Sequence, residues 1–276
     1  MRYVVAVSGG VDSVVLLDML AQKGDTELIV AHFDHGIRKD SAKDADFVGN
    51  LVQKYNLPFE TRREELGENA SEELARDRRY EFLRTVAKKY KARLMTAHHS
   101  DDAIESIVIN LKRGTGWRGL AVLDSDIERP LIDKTKEEII DYAKEHSLEW
   151  REDSTNLENN YLRNRVRRLL GSLDDDTKRQ ILALRAKQTR LRRLIDAEVD
   201  SLVGGSTLYS RYFLIQINPA SAIECLRYIT RGYLTRPQAE RALLAVKTAR
   251  PGTVYDVGGK AQLSFTTRNF TVKVVK

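Results

Sequence analysis

The chain has 276 residues, 42% hydrophobic and 31% charged, enough for one large domain plus a smaller one, and no apolar run approaches the ~20 residues of a membrane-spanning helix. Its one cysteine, Cys225, excludes an internal disulfide framework, a C-x-x-C redox pair and a cysteine-based zinc site. The net charge of +6 is unevenly spread, with 24 Lys/Arg against 31 Asp/Glu over residues 1–160 but 22 against 9 over 161–276, as suits a catalytic half and a basic half that holds nucleic acid.

Met1-Arg2-Tyr3 leads straight into a strand pattern with no secretory or transit signal, which makes the cytoplasm the expected compartment. Residues 4–20 then read V-V-A-V-S-G-G-V-D-S-V-V-L-L-D-M-L. Val4, Val5 and Val7 form a β-branched run, while Val14, Leu17 and Leu20 recur on one helical face. Strand, glycine turn and helix together aim backbone N–H groups and a positive dipole end at a phosphate. Ser8, Gly9, Gly10, Val11, Asp12 and Ser13 are therefore the candidate nucleotide-binding residues. The glycines allow close backbone approach, the serines add hydroxyl donors, and Asp12 is the candidate ligand for a Mg²⁺ that bridges phosphates. The Walker sequence with its lysine is absent. In this setting S-G-G-x-D-S resembles the pyrophosphate loop of the ATP pyrophosphatase superfamily, whose members cleave ATP between its α and β phosphates and leave an adenylated intermediate.

Residues 27–33 predict a second buried strand, so strand, helix and strand make a right-handed parallel βαβ unit. At its end come His32, His35 and Arg38, where doubly wound sheets bind ligands. With His98 and His99 they place four of the five histidines at two strand ends. No cysteine joins them and carboxylates stand adjacent, so polar lining of a nucleotide site is the better reading and zinc the poorer. A helix is expected over 41–55, a third strand over 58–62 and a helix over 71–90, where Arg76 and Arg79 share a face as solvated charges or as a phosphate clamp. A fourth strand over 93–97 leads into H-H-S-D-D-A-I-E-S. Asp102 and Glu105, three apart on the first helical turn, face one way, as capping acids or as a pair that positions a cationic amine or Mg²⁺. Residues 112–120, K-R-G-T-G-W-R-G-L, make a basic glycine-rich turn suited to phosphate or an RNA backbone.

In order, S-G-G-V-D-S, D-H-G-I-R, H-H-S-D-D-A-I-E-S, R-G-T-G-W-R-G-L, R-P-L at 129–131 and E-D-S-T-N…R-N-R-V-R over 152–167 resemble the tRNA(Ile)-lysidine synthetase family across about residues 2–170. The resemblance implies an enzyme that uses ATP and Mg²⁺ to adenylate the C2 oxygen of the wobble cytidine in a CAU-anticodon tRNA(Ile), releasing diphosphate. The ε-amine of free L-lysine then attacks C2 and expels AMP. It assigns the lysine amine to Asp102 and Glu105, and charge stabilisation on phosphate or activated base to Arg113 with Arg165 or Arg163. Many members are dimers, and no feature of this sequence decides whether a homodimer forms here. Two other classes stay open. One is another PP-loop tRNA-modifying enzyme, such as a thiolase, for which the lone Cys225 supplies no persulfide pair. The other is a non-catalytic tRNA-binding protein.

The expected fold is α/β: a doubly wound five-stranded parallel sheet of the PP-loop, adenine nucleotide alpha hydrolase-like type over 1–172, its fifth strand at 127–131. A connecting helix over 173–204 carries the basic cluster Arg185, Lys187, Arg190, Arg192 and Arg193. A small basic α+β tRNA-binding domain over 205–276 follows, with strand over 206–217, helices over 219–231 and 236–248, and a β-meander over 253–275. It leaves room for one small domain where many family members carry two.

Overall fold

The computed structural model describes residues 1–36, 41–67, 70–151, 165–166 and 170–275, which pack as two units, Met1–Arg185 and Ala186–Lys276. The first unit is built on β1 (Arg2–Ala6), β2 (Glu27–Asp34), β3 (Phe59–Arg63) and β4 (Arg93–Met95), all parallel, in the order β3-β2-β1-β4. Around them run α1 (Val11–Lys23), α2 (Ser41–Lys54), α3 (Glu72–Lys89), α4 (Ser100–Lys112) and α5 (Lys136–Glu145).

Side chains of a strand alternate between faces, and here both faces are apolar. Tyr3, Val5, Leu28 and Val30 pack with Leu16 and Leu17 of α1 and Ile139 of α5. Val4, Ile29, Ala31 and Phe33 pack on the other side with Phe82, Leu83 and Val86 of α3. Helices on both faces make the sheet doubly wound, as expected. The fifth strand does not form. Only Glu128 bridges Met95, giving its N–H to Leu94 O at 2.9 Å and taking Thr96 N–H at 3.0 Å. Pro130 has no N–H to extend that ladder, and the chain turns at once, Ile132 N–H bonding Arg129 O.

The long helix Asp175–Val203 serves the core of each unit with a different stretch: Ile181 and Leu182 pack with Ile107 and Val122, Val199 and Val203 with the second unit. That second unit holds an antiparallel sheet in the order β5-β8-β7-β6, formed by β5 (Tyr209–Ser210), β6 (Val254–Asp256), β7 (Ala261–Phe265) and β8 (Asn269–Val274). Helices Pro219–Ile229 and Arg236–Thr248 stand where the sequence predicts them. The strand expected over 206–217 is mostly helix: β5 covers two residues, and Ser210 Oγ then caps the helix Arg211–Gln216 by accepting Phe213 N–H at 3.2 Å. Arg211 is buried, its guanidinium donating to the carbonyls of Val246, Thr266 and Ala249 at 2.8, 3.0 and 2.8 Å. Two of these carbonyls close the helix Arg236–Thr248, whose negative dipole end the charge offsets. Among the described residues no helix is long and apolar enough to cross a membrane.

Candidate active site

Between β1 and α1 the chain must reverse within a few residues. Gly9 does so at φ +93°, a conformation L side chains rarely adopt, and a Cβ there would lie 3.5 Å from the Phe47 ring. Ser13, buried, donates its hydroxyl to Gly10 O at 2.8 Å and accepts Ser8 N–H at 3.1 Å. It shapes the loop from within, whereas Ser8 is exposed on its outside. Gly10 takes the N-cap position of α1 and no side chain caps that end, so the first-turn N–H groups face the loop.

The starts of α4 and α5 lie beside that end. Asp101 Oδ2 accepts the N–H of Lys136, the first residue of α5, at 2.9 Å, and Ser100 N–H donates to Lys134 O at 2.9 Å. Lys136 Nζ then reaches Asp12 Oδ1 in the first turn of α1, at 2.6 Å. Three helix N-termini thus meet at the carboxyl edge of β1 and β4, where open α/β sheets take ligands and where their dipoles favour an anion. Lys136 brings to this loop the cation that its own sequence lacks. Sequence reasoning passed over it, because it lies 124 positions from Asp12. The available signal was Thr135 with Glu138, a reciprocal cap that places Lys136 at the first position of a helix.

His99 is buried among three acids, Nε2 3.9 Å from Asp12 Oδ1 and 3.5 Å from Asp102 Oδ2, Nδ1 3.7 Å from Asp101 Oδ2. Asp102 Oδ2 also accepts the His99 N–H at 3.0 Å, so this acid does cap its own helix. Glu105, three residues on along α4, is buried. Asp12 of the loop and Asp102 of α4 thus lie off the same nitrogen of the His99 ring, with Asp101 off the other. Among the described residues no three His, Cys, Asp or Glu side chains are grouped to hold a metal. Asp12 alone still fits Mg²⁺, which is commonly held by one or two carboxylates with substrate phosphates completing its shell.

His32 is buried with Nδ1 2.8 Å from Val7 O, which ties β2 to the strand that feeds the loop; its Nε2 is buried without a hydrogen bond. His35 stands edge-on to Phe33, ring centroids 4.9 Å apart. Burial, helped by the Arg79 charge, lowers its pKa to about 4. His98 contacts Thr96 Oγ1 at 2.8 Å through Nδ1, and burial again lowers its pKa to about 4, Asp102 pulling the other way and Arg129, Arg79 and Arg76 adding to the depression. Both rings are neutral at pH 7.

Not every candidate joins this group. Arg113 is exposed and caps the opposite end of α4, eleven residues beyond Asp102 and so about 16 Å along the axis. Arg165 is exposed. Arg38, Arg163 and residues 152–156 lie outside the described residues.

Residues 1–173 match the model of a protein family described as the PP-loop domain. Curated relatives include a tRNA(Ile)-lysidine synthase from Thermotoga sp. (strain RQ2), 30% identical over 267 residues that cover 89% of this chain and 64% of that protein. Another, from Clostridium tetani, is 37% identical over 199 residues, 66% of this chain and 43% of that protein. A third, from Thermus thermophilus, is 40% identical over 173 residues, 58% and 34% of the two. The chain therefore spans less than two thirds of the length of these relatives. Among solved structures, the U34-tRNA thiolase NcsA from Methanococcus maripaludis superposes with a TM-score of 0.60 over 69% of this chain and 72% of that one, at 18% identity, which is a likeness of fold.

Proposed function

Because the chain belongs to the PP-loop family, we propose that it is an ATP-dependent ligase, acting in the cytoplasm, that joins L-lysine to C2 of the wobble cytidine of a CAU-anticodon tRNA(Ile) through an adenylated base. The observation that carries this reading is the shared strand edge. An uncapped helix start with Lys136 beside it attracts phosphate, and Asp102 with Glu105, one turn of α4 away, attracts an ammonium. The kinship to tRNA(Ile)-lysidine synthases supports the choice of substrates.

The chemistry follows from those two groups. Backbone N–H groups at the start of α1 and the Ser8 hydroxyl hold the phosphates leaving as diphosphate, while Lys136 offsets charge as the C2 oxygen attacks the α-phosphorus. Mg²⁺ held by Asp12 would neutralise phosphate charge. Asp102 and Glu105 orient the lysine ammonium, and a carboxylate takes its proton, since only the neutral amine attacks C2 and expels AMP. Asp102 keeps Oδ2 on the His99 N–H throughout, so its helix stays capped. The target base must leave the anticodon stack to reach this edge. In this reading residues 1–172 are the catalytic domain, 173–204 the connector and 205–276 the tRNA-binding domain. Exposed Lys187 and Arg190 take the RNA backbone, and exposed Tyr212 and Tyr233 offer rings to its bases.

Purified protein with ATP-Mg, radiolabelled lysine and unmodified tRNA(Ile), with elongator tRNA(Met) as control, tests the proposal. Label in tRNA(Ile) alone, with AMP formed in equal amount, is the expected result. AMP formed with tRNA but without label assigns a different nucleophile, and the absence of both products overturns the enzymatic reading.

A further inference from the structure

On the sheet face opposite α1 and α5, where α3 packs, the charges of Arg76, Arg79 and Arg129 all act on His98. Arg76 and Arg79 pack on one ring, their Cζ atoms 5.4 and 5.6 Å from the Tyr80 centroid. Among the described residues neither has a carboxylate partner, although Arg79 is half-buried. Arg129 donates to the carbonyls of Leu123 and Ile127 at 2.9 and 2.8 Å and to the Ser125 hydroxyl at 3.2 Å, contacts that hold it in place without cancelling its charge. Burial lowers the pKa of Arg79 against an opposing pull from Tyr80, and the charge of Arg76 adds to the depression; Arg129 is lowered by burial first and then by Arg185 and Arg76, with Tyr80 and, more weakly, Asp126 opposing. Crowding like charges partly out of water is costly unless an anion answers them.

We propose that Arg76, Arg79 and Arg129 form a second phosphate site, distinct from the loop at α1, that takes a phosphodiester of the RNA substrate beside the reacting base. The inference rests on the proposed function for the identity of its ligand. Planar guanidiniums suit a phosphate's oxygens, and two of them share an aromatic platform. Arg76 is exposed and Arg79 half-buried, so the site opens outward, as a continuing RNA backbone requires and a triphosphate chain already seated in the loop does not. His98 feels both these arginines and Asp102, which links the cluster electrostatically to the first turn of α4.

Arg76→Gln and Arg79→Gln, made in the full chain, test this by titration with unmodified tRNA(Ile) over a salt series and, separately, with ATP. Each should weaken tRNA binding about five- to tenfold and reduce the slope of log affinity against log salt by about one, with ATP affinity unchanged. If Arg79→Gln does not fold, Arg76→Gln and Arg76→Glu carry the test, the charge reversal costing more than the neutral change. Unaltered tRNA affinity and slope would overturn the site. Lost ATP affinity with tRNA affinity kept would overturn it too, by moving the phosphate to the nucleotide. Failure of lysine incorporation by the unaltered protein would sink the proposed reaction but not these titrations, so the two readings fail separately.

Discussion

The Lys136–Asp12 pair is partly exposed, its side chains 41% and 31% accessible, so its contribution to stability is about 0–1 kcal/mol, and under the proposed function Lys136 acts by the charge it offers to phosphate. Lys136→Met should therefore leave the melting temperature nearly unchanged while slowing diphosphate release about 100-fold. A lowered melting temperature with full activity per folded molecule would make the pair a tether between α5 and α1 instead. Asp102→Asn keeps an oxygen for the His99 N–H but removes the charge that holds an ammonium. Diphosphate release should stay within about threefold while lysine transfer falls about 100-fold; equal loss of both steps would move Asp102 to ATP or Mg²⁺. His35 and His98, both lowered to about 4 from 6.5, bind protons later in the folded than in the unfolded chain. Their contribution is present above pH 6.5 and is lost as pH falls from 6.5 toward 4. Melting temperature should drop between pH 7 and 5, and changing both histidines to Gln should flatten that drop.

At the scale of elements, one buried acid fixes how the site's helices stack. Asp18 of α1 accepts hydrogen bonds from Tyr55 at 2.5 Å, from Tyr142 of α5 at 2.9 Å and from Gln22 at 2.8 Å. Burial and Asp18 push the Tyr142 pKa up to about 12, so its hydroxyl stays a donor at working pH. Tyr142→Phe should cost about 1–3 kcal/mol, read by urea unfolding, and leave ATP affinity within twofold, because Tyr55 still bonds Asp18. A slowing of diphosphate release matching the Lys136→Met variant would show that this bond sets where Lys136 points. Helices with clear apolar spacing, α1 among them, are legible in the amino-acid sequence, because burial of one face imposes that period. Residues 127–131 and 206–217 are not. Their apolar residues suit a strand, but Pro130 stops one ladder and the Ser210 cap turns the other segment into helix.

At the scale of the whole molecule, charge is the main signal for a nucleic acid partner. Lys187→Glu with Arg190→Glu should weaken tRNA binding more than tenfold and lower the salt slope by about two, with ATP binding intact. Unchanged tRNA affinity would remove the long helix from the RNA surface. Arg211 shows where counting charges overstates that surface, since its guanidinium is spent inside the second unit on three carbonyls. By itself the sequence determined whatever depends on neighbours in the chain: the strand–loop–helix of residues 4–20, the Asp102/Glu105 spacing on one helix, the two-sided apolar strands and the basic second half. The tertiary structure alone decided which distant residues meet. Lys136 pairs with Asp12 across 124 positions, and Arg129 acts on the same His98 as Arg76 and Arg79, which share the Tyr80 ring. Local periodicity says which face of a helix is buried; only the packing of helices on the sheet says what that face, or its first turn, comes to lie against.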